Sequence, residues 1–338
     1  MAVAGTPHLR HAATPSRSFV AADIGGTRAR LALIHAAAGS LAVEHFRQYT
    51  CAAYPGLGAI LRDFAGTIAS PIAAAPAEAA IAIAGVVDGD SVVSANLPWV
   101  VSIDAARREA GFAKLAMVND FEALAWAAPH IDPATCVRLS GPPEAEAGPV
   151  LVLGPGTGLG AALWVPGAPP RVLPSEAGHA ALAVGTGREL QLLQHLLQRW
   201  RHVDADRVLS GPGLLNAYTG LCAIDGVRPR IDTPAAVTAV AQDGSDAHAA
   251  EALRMFCALL GSFAGDLVVG FGARAVFLAG GIPARITPFL RGSDFAARFC
   301  NKGVLAGMVE RVPVWLVEHG QLGLVGAAAW YLEQHADA

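Results

Sequence analysis

The chain has 338 residues, of which 53% are hydrophobic and 15% are charged, and its formal net charge is −4. This length accommodates two domains, and the composition is typical of a well-packed α/β protein rather than a disordered or fibrous one. The slightly acidic balance gives no reason to expect a nucleic-acid partner, and we expect no membrane span because apolar runs of 18 or more residues are lacking.

The first seventeen residues contain His8, Arg10, His11 and Arg17 but no apolar core. They do not resemble a secretory signal, and we predict a flexible tail over 1–17. The five cysteines are odd in number, scattered and without metal-ligand spacing. That pattern is typical of a cytoplasmic protein and unlike a structural zinc site.

Two apolar runs joined by glycines open the folded part of the chain. Residues 18–24 predict a buried strand, residues 28–35 a second strand, and Gly25 and Gly26 the turn between them. We expect these glycines to supply the positive φ that a tight turn needs. Further elements are predicted as a helix over 55–68, strands at 80–84 and 114–118, and a helix from the Ser102 cap to about Gly111.

The second half repeats this strand–turn–strand pattern. Residues 150–154 predict a strand, Gly156-Thr157-Gly158 a turn, and residues 160–165 another strand. The remaining elements are helices over 187–200, 211–221, 234–242, 247–271 and 322–335, with strands at 275–281 and 312–318. The coarse class is α/β with two lobes.

The first motif that carries chemistry is Asp23-Ile-Gly25-Gly26-Thr27, at the end of a strand. A carboxylate beside a glycine turn can orient a hydrated cation, while the turn N–H groups and the Thr27 hydroxyl can approach phosphate oxygens. The alternative is a tight hairpin in which the aspartate accepts hydrogen bonds from turn N–H groups. The motif alone does not decide between them.

The second motif is the glycine-rich turn that contains Gly156, Thr157 and Gly158. It partly fits a dinucleotide fingerprint, but that fingerprint needs a helix directly after the glycines, and residues 160–165 predict a strand. No Gly-Lys-Ser/Thr follows, which excludes a Walker A loop. We therefore predict a glycine hairpin whose backbone cradles a phosphate.

The third motif is Asn119-Asp120, between a strand and a helix. Asn119 followed by Glu122 has the spacing of a loose capping box, so a plain helix cap is one interpretation. The other is catalytic, because a carboxylate at the carboxyl end of a strand lies where α/β sheets bind ligands. There it can accept a proton from a substrate hydroxyl.

Two glycine-bearing segments complete the set. Glu176 and His179, three apart, can hydrogen-bond neighbouring sugar hydroxyls, although such a pair is also common in surface loops. Gly280 and Gly281 follow a predicted strand. Their small size permits the close approach of a flat ring or simply forms a tight strand-to-helix turn.

In this order the motifs resemble the bacterial glucokinase family, within the hexokinase/actin-like ATPase superfamily. DIGGTRAR and GPGTGLG are similar to its two phosphate motifs, AGGIPAR to its adenosine motif, VNDFEALA to the stretch with the catalytic aspartate, and LPSEAGH to its glucose-contacting loop. The resemblance covers roughly residues 18–335. It implies ATP-dependent phosphorylation of glucose, or a related hexose, at the 6-hydroxyl.

The resemblance also implies a role for each motif. Asp120 would be the general base, and the sugar would contact Asn96, Asn119, Glu176 and His179. The ATP phosphates would lie on Gly25, Gly26, Thr27, Gly156, Thr157 and Gly158, and the adenine nucleoside on Gly280 and Gly281. Mg²⁺ would be carried by the phosphates, with Asp23 reaching it through water and no direct protein ligand.

The fold that the resemblance implies is α/β and two-lobed, with a duplicated ribonuclease H-like topology. The small lobe would comprise residues 18–119 plus 322–338, and the large lobe residues 120–321. The family is often dimeric, so the resemblance implies a homodimer.

The chain departs from the family pattern at three positions. Asp206 stands where the family usually has a glutamate that contacts the sugar, Arg28 stands where asparagine is usual, and Pro155 stiffens the second phosphate loop. These departures leave two alternatives open: a kinase for another hexose, or a catalytically weak sugar-binding regulator. A DNA-binding repressor is disfavoured, because the segment before residue 18 is too short for a helix-turn-helix domain.

Overall fold

The computed structural model describes residues 17–37, 40–69, 76–94, 97–317 and 320–335. Contacts divide the chain into two compact units, the first running to Ala123 and resuming at Gln321, the second spanning Leu124–Gly320. The predicted flexible tail lies outside the described residues except for Arg17, which begins the first strand.

The first unit is built on a five-stranded mixed sheet. Its elements are β1 (Arg17–Ile24), β2 (Arg28–Ala37), β3 (Ser40–Thr50), α1 (Leu57–Ile68), β4 (Glu78–Ile83), β5 (Val86–Asp88), β6 (Ser91–Val93), β7 (Val101–Ser102), α2 (Ile103–Ala110), β8 (Lys114–Asn119) and the start of α3 (Asp120–Ala127), with α12 (Leu322–Gln334) from the C-terminus. The sheet order is β3-β2-β1-β4-β8, with β1, β4 and β8 parallel, while β5–β7 form a small separate sheet.

Strand β1 shows how this sheet is held on both faces. Val20 and Ile24 join the core cluster that includes α1 residues, whereas Phe19 joins the cluster formed with α12. Alternate residues of a strand point to opposite faces. A strand covered on both sides therefore reads as the continuous apolar run seen at residues 19–22.

The second unit is built on a six-stranded sheet. After α3 its elements are β9 (Val137–Ser140), β10 (Val150–Pro155), β11 (Leu159–Val165), β12 (Arg171–Ser175), α4 (Gly187–Leu197), α5 (Gly211–Ile224), α6 (Pro234–Asp243), α7 (Ala247–Phe271), β13 (Ala275–Leu278), α8 (Gly281–Arg285), α9 (Thr287–Arg291), α10 (Phe295–Cys300), α11 (Ala306–Val309) and β14 (Val314–Leu316). The order is β12-β11-β10-β13-β14-β9.

The first five strands of this order repeat the pattern of the first sheet. In each sheet an antiparallel hairpin (β1–β2, β10–β11) is extended by a third antiparallel strand on one side and by two parallel strands on the other. The repeated pattern confirms the predicted duplicated ribonuclease H-like fold. Strand β9 is the addition that distinguishes the second sheet.

Helix α7 is the longest helix among the described residues. By length and composition alone it could cross a membrane, but 72% of its most apolar window is buried inside the protein. Phe256, Leu260 and Phe263 belong to the core cluster of the second unit. The helix is apolar because it is a core element, in agreement with the sequence prediction.

The turn between β1 and β2 corrects one prediction. Positive φ angles occur at several described glycines, but neither Gly25 nor Gly26 is among them. The turn is closed by the Gly25 N–H, which donates to the Arg28 carbonyl at 3.0 Å. Backbone conformation therefore does not explain why this turn contains glycine.

Candidate active site

Asp23 lies near the carboxyl end of β1, directly opposite Arg30 on β2. The Arg30 Nη1 donates to Asp23 Oδ2 at 2.8 Å, and Asp23 is only 6% exposed. The partner of this carboxylate is thus a cross-strand guanidinium. A Cβ placed on Gly323 would lie 2.6 Å from Asp23 Cγ, so the first turn of α12 packs directly against the aspartate.

The turn that follows leaves its backbone accessible. A Cβ on Gly25 would meet only the Arg28 carbonyl oxygen, at 3.5 Å, which is an ordinary contact. Thr27 and Arg28 are exposed, and within the described residues Arg28 makes no ion pair. The protein's own packing does not demand glycine at position 25, and an approaching ligand is what would benefit from the missing side chain.

Asn119 ends β8 and caps α3. Its Oδ1 accepts from the backbone N–H groups of Phe121 and Glu122, at 2.9 and 3.1 Å, and its Nδ2 donates to the Gly85 carbonyl at 3.0 Å. The predicted helix cap is present. Because the oxygen already accepts two bonds, the side chain has one amide hydrogen left for a substrate.

Asp120 is the first residue of α3 and lies at the carboxyl end of the β8 strand. Its Oδ1 accepts from the Phe121 N–H at 3.0 Å. Burial, and then the charge of Asp23, raise the pKa of Asp120 to about 7. The electrostatic effect shows that the two carboxylates lie near one another within the first unit. A carboxylate with this pKa is suited to accept a proton near neutral pH.

In the second unit the glycine turn joins β10 to β11. The Gly156 N–H donates to the Gly158 carbonyl at 2.7 Å, and the Gly156 carbonyl accepts from Gly211 at the start of α5, at 2.8 Å. A Cβ on Gly156 would have no neighbour closer than 3.8 Å. Pro155 is buried as the last residue of β10, so it lies in the strand and not in the turn.

Asp206 connects to this turn. Its Oδ1 accepts from the Leu159 N–H at 2.6 Å, and a Cβ on Gly158 would lie 3.2 Å from the same oxygen. Burial raises the pKa of Asp206. One carboxylate oxygen therefore holds the β10–β11 glycine hairpin, and the other is without a partner among the described residues. The predicted sugar contact would use that second oxygen.

Glu176 directly precedes a single 3₁₀ turn, Ala177–His179, and His179 is the last residue of that turn. Both side chains are exposed, and His179 Nδ1 lies 3.3 Å from Asp204 Oδ2. Gly178, between them, is buried so closely against the Leu159 carbonyl that a Cβ would overlap it. This close approach fixes the loop beside the β10–β11 glycine hairpin of the same unit.

The last motif contains two glycines, and the structure explains the absence of a side chain differently at each. Gly280 has a φ of +98°, and a Cβ there would lie 2.6 Å from the Pro155 carbonyl oxygen. Gly281 has nothing within 4 Å of a Cβ position. Backbone strain and crowding require glycine at 280, whereas at 281 the space is open to a ligand.

The predicted site residues fall on both units, each of which brings its own together. Asp23, Gly25, Gly26, Thr27, Asn119 and Asp120 belong to the first unit; Gly156, Thr157, Gly158, Glu176, His179, Asp206, Gly280 and Gly281 belong to the second. Asn96 lies outside the described residues.

Two partners were missed by the sequence reasoning. Arg30 follows from hairpin register, since pairing Ile24 with Ala29 puts Asp23 opposite Arg30. Asp204 has no comparable signal, because its contact with His179 spans 25 positions.

The groups implied for this site are ATP and Mg²⁺. The open Cβ positions at Gly25, Gly156 and Gly281 fit the bare backbone that phosphates and a nucleoside require. Among the described residues no cluster of three or more His, Cys, Asp or Glu could hold a metal ion. Asp23 is engaged with Arg30. These residues fit a Mg²⁺ carried on phosphates and contacted through water.

Comparison with known proteins places these observations in a family context. The family model described as Glucokinase matches residues 20–334. The chain is 46% identical over 336 residues to a glucokinase-like protein of Xylella fastidiosa (strain Temecula1 / ATCC 700964), with 96% of this chain and 99% of that protein covered. It is 38% identical over 316 residues to the glucokinase of Nitrobacter hamburgensis, covering 93% and 97%. The crystal structure of a glucokinase from an Antarctic psychrotroph matches with a TM-score of 0.82 at 35% identity, covering 93% of this chain and 98% of that one.

Proposed function

The chain belongs to the glucokinase family of ATP-dependent hexose kinases, and we propose that it transfers the γ-phosphoryl group of MgATP to the 6-hydroxyl of glucose with Asp120 as the general base. The observation that carries the proposal is the position of Asp120. Its partly buried carboxylate directly follows the parallel strand β8, near enough to Asp23 to be affected by its charge, and its pKa is about 7.

Phosphoryl transfer requires mainly the positioning of the reactants and the stabilisation of charge. When bound, MgATP supplies the phosphoryl group and a cation that neutralises its oxygens. Asp120 holds the acceptor hydroxyl and takes its proton. Such a base contributes about 10²–10⁴-fold in rate. The Phe121 N–H, which donates to Asp120 Oδ1, orients the carboxylate for this task.

The other residues of the proposed site have supporting roles. The Arg30–Asp23 pair keeps a carboxylate near the base without leaving its charge uncompensated. In our proposal Asp23 contacts Mg²⁺ through water, and the backbone of the turns at Gly25–Thr27 and Gly156–Gly158 binds phosphate oxygens. Gly281 leaves room for the adenine nucleoside.

The hexose contacts are assigned to polar groups that retain hydrogen-bonding capacity. Asn119 has one free amide hydrogen, Glu176 is exposed, and His179 presents the ring edge opposite Asp204. Asp206 contributes its second carboxylate oxygen. Asn96 completes the set that the resemblance implies.

The test is the substitution Asp120→Asn, which keeps the size of the side chain and the oxygen that accepts from Phe121. We expect turnover to fall roughly 10²–10⁴-fold because the amide cannot take a proton, while glucose binding measured by calorimetry stays within about threefold. Turnover near the wild-type value would remove Asp120 from the role of base.

We further infer a cytoplasmic homodimer with no nucleic-acid or membrane partner. All five cysteines are free thiols, as expected in a reducing compartment. Light scattering of the purified protein tests the dimer: a mass of one chain at micromolar concentration would contradict it.

A further inference from the structure

Asp204 stands out among the residues that the sequence did not single out. It is only 7% exposed and lies on the segment that packs beside the His179 loop. We propose that Asp204 is a positioning residue that fixes the ring of His179 with its Nδ1 protonated, so that Nε2 accepts a hydrogen bond from a hexose hydroxyl. This inference rests on the proposed function, in which His179 contacts the sugar.

The two oxygens of Asp204 have different partners. Oδ1 accepts from the Arg207 N–H at 3.0 Å and so caps the 3₁₀ turn Ala205–Arg207. Oδ2 lies 3.3 Å from His179 Nδ1. A carboxylate can only accept, so the hydrogen of this second bond must belong to Nδ1. In the neutral ring, Nε2 is then left as an acceptor.

The backbone holds this arrangement in place. Asp204 pairs with Ala181 in an isolated antiparallel bridge, and the Ala205 N–H donates to the Ala180 carbonyl at 2.9 Å. Backbone pairing thus ties the segment that contains Asp204 to the loop that contains His179. The backbone therefore keeps Asp204 within hydrogen-bonding reach of the His179 ring.

The ring edge that faces away from Asp204 is available to a ligand. The His179 side chain is 66% exposed, and within the described residues its Nε2 has no partner. The main-chain carbonyl of His179 accepts from His202 Nε2 at 2.9 Å, which anchors the residue from behind. An oriented acceptor selects a sugar that presents a hydroxyl hydrogen at this point, because an unpaired acceptor in the complex is costly.

A helix-capping role alone does not account for Asp204. Capping needs one oxygen, and serine, threonine or asparagine supplies it equally well. Among the residues that the structure describes, only His179 contacts the second oxygen of Asp204. Capping and ring orientation can therefore be separated by substitution.

The decisive variant is Asp204→Asn. Its oxygen can keep the bond from the Arg207 N–H, while its NH₂ group then faces His179 Nδ1 and requires that nitrogen to accept. The tautomer should invert, so that Nε2 becomes a donor. Long-range ¹⁵N–¹H spectra of histidine-labelled protein report the two tautomers directly, with the His179 signals assigned from their loss in His179→Gln.

We expect the wild-type spectrum to show a protonated Nδ1 and the Asp204→Asn spectrum a protonated Nε2. The KM for glucose should rise roughly tenfold or more, from a mispaired hydrogen bond, while the KM for ATP and the thermal midpoint stay nearly unchanged. Asp132 provides the matched control, because its Oδ1 caps another three-residue 3₁₀ turn without a histidine partner. Asp132→Asn should change neither the spectrum of His179 nor the KM for glucose.

Two outcomes would overturn the inference. One is an unchanged His179 tautomer in Asp204→Asn. The other is an inverted tautomer with an unchanged KM for the hexose. A wild-type protein inactive on every hexose would instead refute the proposed function, and the spectra would still decide whether Asp204 sets the ring.

Discussion

At the scale of one residue, Asp120, the base in our proposal, is maintained at a cost in stability. Its pKa in the folded protein is about 7, against an ordinary value of 3.8. The folded state therefore holds the proton more tightly than the unfolded state. The resulting stabilisation is complete below about pH 4 and is lost as the pH rises through 7.

Asp120→Asn removes this pH dependence. At pH 8 the variant should be more stable than the wild type by about 4 kcal/mol, since the pKa is raised from 3.8 to about 7 and each pKa unit corresponds to about 1.4 kcal/mol. The difference should shrink as the pH falls to 5. Urea denaturation at pH 5, 6, 7 and 8 measures it.

The control for this series is Asp132→Asn, an exposed capping aspartate. Its effect should be flat over the same pH range. A variant Asp120→Asn that is less stable than the wild type at every pH would show that the folded state does not disfavour the ionised carboxylate. The account of the raised pKa would then be wrong.

Asp206 makes a different prediction, because its Oδ1 accepts from the backbone of the β10–β11 glycine hairpin, for which we propose phosphate binding. Asp206→Ala leaves the Leu159 N–H without its acceptor, and we expect the KM for ATP to rise roughly ten- to hundredfold. Asp206→Asn keeps an acceptor and should raise the KM for ATP less. Steady-state kinetics with ATP and glucose varied in turn separate the effect on the KM for ATP from that on the KM for glucose.

The sugar contact that we propose for the second oxygen of Asp206 predicts that Asp206→Ala also raises the KM for glucose. A rise in the KM for glucose with a KM for ATP near the wild-type value would contradict the hairpin role of the first oxygen.

At the scale of elements, the sequence predicts a helix correctly where the segment contains its own capping residues and apolar spacing. Ser102 caps α2 by accepting from the Ala105 N–H, and Gly111 ends the helix with a φ of +78°. Helix α7 has the predicted bounds, since Asp246 caps it and Gly272 ends it. These are predictions from capping chemistry and apolar spacing that the structure confirms.

Strands at the edges of the sheets gave no such signal. Strand β3 is largely exposed and was not predicted, because an edge strand with little burial lacks a strong apolar alternation. Strand β12 includes Pro174, which the sequence favours as a loop residue. A proline is tolerated there because β12 is the outermost strand of its sheet.

The tight packing of helix α12 leads to a prediction about the stability of the protein. A Cβ on Gly326 would overlap the backbone carbonyl of Ala123, which cannot move aside as a flexible side chain could. Gly326→Ala should destabilise the protein by about 1–3 kcal/mol, the usual cost of overpacking. Chemical denaturation measures the loss.

Gly66→Ala in α1 is the matched control, because it lies in a helix of the same unit with nothing within 4 Å of its Cβ position. It should be neutral or stabilising by up to about 1 kcal/mol. Equal effects of the two substitutions would show that α12 is not packed as tightly as described.

At the scale of the whole molecule, the sequence shows one echo, and the structure explains it. The two glycine hairpins predicted at residues 18–35 and 150–165 are the corresponding first hairpins of two sheets with the same strand order. The fold class and family could be predicted from these motifs in order. Side-chain bonds between distant segments could not, since Asp206 meets Leu159 across 47 positions without any local pattern.

The most direct test of the central claim is ADP release by the purified wild-type protein with MgATP and glucose, beside fructose, mannose, glucosamine and no sugar. We predict robust turnover with glucose, weaker turnover with the other sugars and almost none without sugar. Turnover that favours another hexose would contradict glucose as the substrate but would still support a hexose kinase. No turnover with any sugar, from folded protein that binds ATP, would contradict the account and favour a sugar-binding regulator.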